Sequence, residues 1–413
     1  MRSLAFLKTW LTALAALATF CALVDTTMNP YLALNLPRVS GLNAHKPAVD
    51  QYERFMKAYD VDRAQRQTLI LGASGVDWGM SASSSAWPVW SQPVYNLGIP
   101  NAGPEIDYLY LRHAMSESRP ALVVIGLEFE HFLWYQDIAN LEPQQDLDVK
   151  QLLANIEDSS AKGRQYFHDM MWATLSLDAL SDGASTLISN LRGRSSDIRQ
   201  GNWIYEPYAS FVAKYGSLPL VTWEEIQLAR RYTAKPTVDI NLSTIKRIID
   251  LCTSKGARVV VFVSPLHIYH LEMLDYYGYW SGFERWEREL TKLIASSNQE
   301  SNHDDVELFD FTGYDQYSTE LVASGRNSLH WFWDSIHYKP ALGELIIRRL
   351  LGDKNIPFGI QLTPENVDAH LSSIREQRRH YREEHQNELK PILDIYNLIN
   401  STQTTLVQGN GLR

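Results

Sequence analysis

Short, continuous runs of Val, Ile and Leu alternate with amphipathic helical segments along the middle of this chain. Such runs lack the polar alternation of a half-exposed strand, so they indicate strands buried on both faces of a parallel sheet. Alternation with helices predicts an α/β fold, with a mainly parallel five-stranded sheet in a three-layer α/β/α arrangement. The predicted strands are Thr68–Leu71, Pro93–Leu97, Ala121–Ile125, Arg258–Val263 and Val306–Phe309.

The N-terminal segment is apolar and flanked by charge. Arg2 and Lys8 precede an uncharged run from Thr9 to Val24, and Asp25 ends it. This pattern is typical of a signal peptide or a signal anchor. The run is shorter than the about 20 residues that a membrane span needs, but it is long enough if Lys8 extends its side chain to the interface. Because no convincing small-x-small cleavage site follows, an uncleaved anchor is favoured over a cleaved signal.

Changes of pattern divide the rest of the chain. Residues 1–25 are the predicted anchor or signal peptide, and residues 26–65 are a polar connector containing several prolines. Residues 66–350 are the predicted α/β domain, interrupted by a helical insertion at about 140–235 where the strand–helix alternation breaks. Residues 351–413 are a predicted helical extension rich in charge.

Charge and cysteine content exclude some partners. The formal net charge is −10, without a long basic tract, so nucleic acid is not an expected partner, because phosphate binding needs a cationic surface. The two cysteines, Cys21 and Cys252, are too few for a cysteine-based metal site. We expect no metal and no cofactor.

One candidate nucleophile follows the first predicted strand. In Leu71-Gly72-Ala73-Ser74-Gly75, the serine stands where the chain must turn sharply, and the glycines leave room for a substrate. Backbone N–H groups at this turn, including that of Gly75, could stabilise a developing oxyanion. Serine needs a neighbouring base to become a good nucleophile. Taken alone, this fragment is better explained by a plain strand-to-helix turn with Ser74 as its cap, because Gly-x-Ser-Gly is common.

A carboxylate and an imidazole precede the last predicted helix of the α/β domain. The sequence Trp333-Asp334-Ser335-Ile336-His337 brings Asp334 and His337 close together on one turn of chain. Such a carboxylate can orient the ring and stabilise its protonated form, as a catalytic triad requires. A helix-capping aspartate beside an incidental histidine is the alternative.

Together, the two fragments resemble the SGNH (GDSL-like) hydrolases, which carry Gly-x-Ser at the first strand and Asp-x-x-His before the last helix. The resemblance covers roughly residues 66–350, apart from the insertion, and implies a flavodoxin-like three-layer fold. It also implies a catalytic triad of Ser74, Asp334 and His337.

The middle blocks of the resemblance are less regular. The segment Asn96–Gly103 is similar to the second block of the family, in which Gly98 would supply an N–H group to the oxyanion hole. The third block usually reads Gly-x-Asn-Asp, but this chain has Gly126-Leu127-Glu128-Phe129-Glu130. The missing asparagine removes an oxyanion donor and leaves Glu128 as a candidate oxyanion or substrate contact.

An anchor combined with altered middle blocks is similar to the anchored bacterial proteins of polysaccharide O-acetylation, such as the alginate acetylation proteins. That resemblance implies a periplasmic domain at the bacterial inner membrane. It further implies that an acyl group comes from a membrane-bound O-acyltransferase and passes through Ser74 to a polysaccharide hydroxyl, with His337 as base. If water replaces the sugar hydroxyl, the same triad makes an esterase.

Two other functions stay open. A non-catalytic SGNH-fold module that binds glycan or scaffolds a membrane complex would explain the missing asparagine. A metal-dependent hydrolase would use Glu128, Glu130 and His131, although the same cluster fits a polar rim.

Further side chains stand near the predicted strand ends. Trp333 could offer a stacking surface for a sugar beside the triad, with core packing as the alternative. His267 and His270 could line the site or belong to a structural loop. Trp78, just beyond Ser74, could shape the pocket.

Overall fold

The computed structural model describes residues 2–61, 66–133, 159–194, 206–234, 237–301 and 306–410. The chain forms two compact units. The first comprises Met1–Gln65, Leu109–Ser118 and Glu142–Ile204, and the second comprises Arg66–Tyr108, Arg119–Leu141 and Tyr205–Arg413. The predicted connector thus belongs to a compact unit. The predicted insertion is shared between the two units, and its segments 140–158, 195–205 and 235 lie outside the described residues.

The second unit contains the β-sheet. Its order is β2-β1-β3-β4-β5-β6, in which the first five strands are parallel and β6 pairs antiparallel with β5. The chain is therefore α/β with a mostly parallel sheet, and a short antiparallel edge strand adds to the five predicted strands. The described strands are β1 Thr68–Leu71, β2 Val94–Asn96, β3 Leu122–Leu127, β4 Arg258–Val263, β5 Val306–Asp310 and β6 Ile360–Gln361.

Burial explains the continuous apolar runs. Every residue of β1 and of β3 is buried, and so is every residue of β4 after Arg258. Because both faces of these strands are covered, polar side chains would be left without water on either side.

The described residues form fourteen α-helices, numbered here in chain order. They are α1 Arg2–Met28, α2 Val49–Val61, α3 Ser74–Gly79, α4 Pro104–Glu117, α5 Ser159–Leu175, α6 Leu177–Leu191, α7 Glu206–Tyr215, α8 Leu218–Thr233, α9 Ser243–Ser254, α10 Ile268–Tyr276, α11 Trp280–Ser301, α12 Pro340–Leu350, α13 Val367–Glu384 and α14 Gln386–Asn410.

The N-terminal helix α1 is apolar. Over Leu4–Met28 it is long and apolar enough to cross a membrane or to serve as a signal sequence, with a mean hydropathy of 1.7. Its side chains are exposed from Leu4 to Phe20, whereas Asp25 and Met28 are buried. Within the first unit, α1 packs against α5 and α6.

Gly126 illustrates how tightly the second unit packs around β3. A methyl group at this position would lie 2.3 Å from Val76 Cγ2 and 2.7 Å from Phe262 Cζ. We expect Gly126→Ala to lower the free energy of unfolding by about 3 kcal/mol, because overpacking displaces neighbouring side chains. Gly163→Ala is the control, since no atom lies within 4 Å of its added methyl group. Urea denaturation measures both variants, and equal midpoints would contradict this account of the packing.

Candidate active site

The sheet order creates a crevice at the carboxyl ends of its first strands. Strand β1 is the second strand from one edge of the sheet, with β2 on one side and β3 on the other, so the strand order reverses direction at β1. Ligands of open parallel sheets bind at such switch points. Ser74 follows β1 and Glu128 follows β3, which brings both to this edge.

Ser74 is placed by a tight turn. Gly72 before it has a φ of +144°, and a methyl group there would lie 2.5 Å from Val76 Cγ2 and 2.7 Å from the Gly126 carbonyl oxygen. Only glycine is compatible with that conformation and that proximity. The turn ends directly in α3, whose first residue is Ser74.

A second turn holds Asp334 and His337. Trp333 N–H donates to the His337 carbonyl at 2.8 Å, and Lys339 N–H donates to the Trp331 carbonyl at 2.7 Å, which closes the turn. Inside it, Asp334 Oδ1 accepts the N–H groups of Ile336 and His337, at 2.9 and 2.8 Å. The carboxylate is therefore held in one orientation by the backbone of its own turn.

The two turns meet in a chain of hydrogen bonds. His337 Nδ1 donates to Asp334 Oδ2 at 2.7 Å, and Ser74 Oγ donates to His337 Nε2 at 2.8 Å. Asp334 is fully buried, and the ring of Trp78 covers that of His337 at a centroid distance of 3.9 Å. This arrangement has the form of a nucleophile, its base and the group that orients the base.

The surroundings of His337 favour its protonated form. Burial lowers the pKa of His337, but the charge and hydrogen bond of Asp334 outweigh it, with Glu224 and Glu128 adding to the rise. The pKa of His337 is therefore above its ordinary value. A raised pKa makes the imidazole a stronger base once it has lost its proton.

Glu128 contacts the backbone next to the serine. Gly75 N–H donates to Glu128 Oε1 at 3.3 Å, so a carboxyl group lies against the N–H group that follows Ser74. Burial raises the pKa of Glu128, and the charge of Glu130 adds to the rise, while His131 and His337 oppose it. The net effect is a raised pKa, which makes the neutral form of Glu128 more accessible than for an ordinary glutamate.

No protein-family model and no curated protein sequence matches this chain.

The hydroxyl of Ser74 faces a cavity of about 570 Å³. Three aromatic side chains line it: Trp78, Tyr208 and Trp223. Trp78 and Tyr208 are in contact, at a centroid distance of 4.9 Å. Aromatic faces of this kind suit the apolar faces of sugar rings as well as other flat or apolar groups.

The polar lining of the cavity includes three carboxyl groups and the side chain of Arg231. Glu128, Glu130 and Glu224 contribute carboxyl groups to its wall. Burial raises the pKa of Glu224 to about 7, with the charge of Asp334 adding to the rise. Carboxyl groups of this kind accept hydrogen bonds from hydroxyl groups.

Glu130 is engaged in a buried ion pair. Its Oε1 lies 2.5 Å from His270 Nε2, and Glu225 Oε1 lies 3.4 Å from His270 Nδ1. Burial lowers the pKa of His270, but the two carboxylates outweigh it and raise the pKa to about 10. The charged ring of His270 thus connects Glu130, in the cavity wall, with the buried Glu225.

The arrangement gives no support to the hypothesis of a metal-dependent hydrolase. Among the described residues, no group of three or more His, Cys, Asp or Glu side chains could hold a metal ion. His131 Nε2 lies 3.9 Å from Glu128 Oε2, and Glu130 is directed to His270.

Three residues that the sequence suggested for the site are not among the residues that line the cavity. Gly98 is buried, and its N–H donates to Asn96 Oδ1 at 2.8 Å rather than facing the cavity. Trp333 is not part of the cavity wall, and Lys339 Nζ lies 4.6 Å from its ring centroid. His267 is buried at the start of α10, where its Nδ1 accepts Tyr269 N–H at 3.2 Å.

Other cavity residues escaped the sequence motifs. Tyr208, Trp223 and Glu224 come from α7 and α8, whose sequences carry no signal for a site. Asn101 lies inside the Asn96–Gly103 block but was not singled out there; it also lines the cavity, with a φ of 57° that residues other than glycine seldom adopt. Such backbone conformations cluster at functional sites, and the Pro100-Asn101 pair was a turn signal that could have drawn attention to this residue.

Proposed function

We propose that the second unit is an SGNH-type serine acyltransferase or esterase that acts on O-acyl groups of an envelope or extracellular polysaccharide. The observation that carries this proposal is the unbroken Ser74–His337–Asp334 hydrogen-bond chain at the wall of a cavity. The motif positions and the strand order support the finer assignment to the three-layer SGNH fold.

The geometry suits acyl transfer in two halves. His337 Nε2 takes the proton of Ser74 as the hydroxyl oxygen attacks the acyl carbonyl, and it returns that proton to the departing alcohol. A sugar hydroxyl then gives its proton to His337, attacks the acyl-serine and leaves as the new ester, while Ser74 regains its proton. Water in place of the sugar releases a carboxylic acid. Asp334 keeps Nδ1 protonated and the ring in place.

The cavity wall supports a carbohydrate substrate. Aromatic rings offer stacking surfaces, and nearby carboxyl groups accept hydrogen bonds from sugar hydroxyls. A membrane-bound O-acyltransferase as acyl donor remains part of the proposal, supported by the apolar helix α1.

We further propose that α1 is an uncleaved anchor in the bacterial inner membrane and that the protein faces the periplasm. The buried last turn of α1, with Asp25 and Met28 packed inside the first unit, supports retention of this helix over its removal.

A fluorophosphonate probe tests the proposed nucleophile. Such probes react covalently with serines that an adjacent base activates. We expect one adduct, located on Ser74 by peptide mass spectrometry, and none in the variant Ser74→Ala. An intact protein that takes up no probe, or takes it up at another residue, would exclude the triad as the reactive centre.

Glu128 is expected to limit activity whenever its carboxyl group is ionised. The carboxylate then takes the Gly75 N–H and repels a developing oxyanion. Glu128→Gln replaces that charge by a side-chain donor. We expect kcat/KM for a nitrophenyl acetate at pH 8 to rise about tenfold or more.

The control for Glu128→Gln is Glu224→Gln, which removes another carboxyl group of the cavity wall. An equal gain in both variants would assign the effect to the overall charge of the cavity. A Glu128→Gln enzyme that is no faster than the wild type at pH 8 would contradict the proposed role.

The Glu128–Gly75 contact also favours a second candidate function, a non-catalytic glycan-binding or scaffold protein of a membrane acylation complex. A carboxylate held on the N–H group beside the serine is unfavourable for catalysis. Binding of glycans without any reaction of Ser74 with the fluorophosphonate would support this alternative.

A further inference from the structure

His270 is a charged side chain in the interior of the second unit. It lies on α10, and both its ring and the carboxyl group of Glu225 are fully buried. The Nε2 atom lies 2.5 Å from Glu130 Oε1, and the Tyr232 hydroxyl lies 3.2 Å from the same nitrogen. The Nδ1 atom lies 3.4 Å from Glu225 Oε1. Because a buried charge is stable only when it is paired and hydrogen-bonded, these four side chains depend on one another.

The three neighbours of His270 come from two different parts of the fold. Glu130 belongs to the single helical turn Phe129–Phe132 that follows β3, whereas Glu225 and Tyr232 both belong to α8. His270 therefore joins α8 to the carboxyl end of the sheet. We call the side chains of Glu130, Glu225, Tyr232 and His270 the His270 link.

Spacing along α8 makes the His270 link a constraint on orientation. Glu225 and Tyr232 are seven residues apart, which is about two turns of a helix, so they share one face. The Tyr279 hydroxyl also donates to the Tyr232 carbonyl oxygen at 3.2 Å. Contacts separated by two turns restrain rotation of the helix about its axis as well as its distance from the sheet.

The neighbouring face of α8 forms part of the cavity wall. Glu224, Leu228 and Arg231 line the cavity and follow one another at intervals of four and three residues, as a single helical face requires. Trp223 lines the cavity as well. A rotation of α8 would move these four side chains together, while the proposed triad lies on other elements of the unit.

We propose that His270 is a positioning residue for the substrate: by joining α8 to the turn after β3, it fixes the wall of the cavity that contacts the sugar. Burial opposes the charge of His270, but Glu130 and Glu225 raise its pKa to about 10, so the ring stays charged at neutral pH. This inference rests on the proposed function, because a sugar ester needs this wall as well as the triad. A small ester needs the triad alone.

The variant His270→Gln tests this role in the full chain. The neutral amide cannot balance Glu130 and Glu225, so the orientation of α8 is no longer fixed. We expect the KM for penta-O-acetylglucose to rise about tenfold or more, with kcat within about twofold of the wild type, as for a loss of uniform binding. For a nitrophenyl acetate, kcat/KM should stay within about twofold. Amide hydrogen exchange of residues 218–233, measured by mass spectrometry, should become about tenfold faster.

A double variant, Glu225→Met with Tyr232→Phe, separates positioning from general stability. It removes both contacts of α8 with His270 and keeps the ion pair between His270 and Glu130, so no buried charge is left unpaired. The KM for penta-O-acetylglucose and the amide exchange of α8 should rise in this variant as they do in His270→Gln.

The matched control is His370→Gln. His370 Nε2 likewise lies 2.6 Å from a buried carboxylate, Asp310 Oδ2, and neither residue is among those that line the cavity. Its KM and its α8 exchange should equal those of the wild type, and an equal rise of KM in this control would overturn the inference. Unchanged KM and unchanged α8 exchange in both link variants would overturn it too, as would equal losses for the two esters. If the wild type turns over neither ester while α8 exchange rises in both link variants, the positioning of α8 is supported and the proposed catalysis is rejected.

Discussion

Ser74→Ala is expected to lower kcat for a nitrophenyl acetate by about ten-thousand-fold or more, with little change in KM. The variant removes the proposed attacking atom, Ser74 Oγ, while the rest of the cavity wall is unchanged. His337 and Asp334 keep their own hydrogen bond, so the fold should persist. Steady-state hydrolysis and circular dichroism measure the two properties.

The control for this prediction is Ser83→Ala, which removes an exposed hydroxyl from the same unit. Its kcat should equal that of the wild type. If Ser74→Ala retains wild-type turnover while properly folded, Ser74 is not the nucleophile and another group performs any reaction that the protein catalyses.

Asp334→Asn is expected to reduce kcat by about ten-thousand-fold. An asparagine of the same shape presents an amide in place of one carboxylate oxygen, so the ring of His337 loses the partner that fixes its tautomer. The variant also removes the charge and hydrogen bond that raise the pKa of His337. The pKa of the remaining base should therefore fall.

The pH profile gives this second prediction a distinct signature. In the wild type, kcat/KM rises as His337 loses its proton, so the rise occurs at a pH above the ordinary histidine pKa. In Asp334→Asn the rise should move to lower pH. An unchanged midpoint, or a loss of activity smaller than tenfold, would show that Asp334 does not act through His337.

A second aspartate–histidine pair in the same unit provides the control. His370 Nε2 lies 2.6 Å from Asp310 Oδ2, and neither residue lines the cavity. Asp310→Asn removes a comparable buried charge, so it should lower stability without lowering kcat. Equal loss of kcat in both variants would attribute the effect of Asp334→Asn to general destabilisation.

Strands were predictable because their signal is local. Thr68–Leu71 and Arg258–Val263 have the same bounds in the structure as in the sequence-based prediction. The two-residue strand β6 was missed, since Ile360–Gln361 has too few residues for a pattern and forms only by pairing with β5.

The division of the chain was harder to predict. Residues 26–65 looked like a connector because of their prolines, yet they belong to a compact unit with α5 and α6. Packing of this kind joins segments far apart in the chain, as when Tyr59 donates to Asp169 Oδ2 at 2.5 Å. No local window contains both partners.

Local motifs were sufficient to predict an α/β chain with a buried parallel sheet, an apolar N-terminal helix and two short segments carrying Ser74 and the Asp334–His337 pair. Only the tertiary structure shows which groups surround Ser74, Asp334 and His337. Tyr208, Trp223 and Glu224 reach the cavity through the packing of α7 and α8, while Gly98 and Trp333 are directed elsewhere. The physical reason is that a strand or a turn depends on neighbours along the chain, whereas a cavity wall depends on side-chain directions that only long-range packing determines.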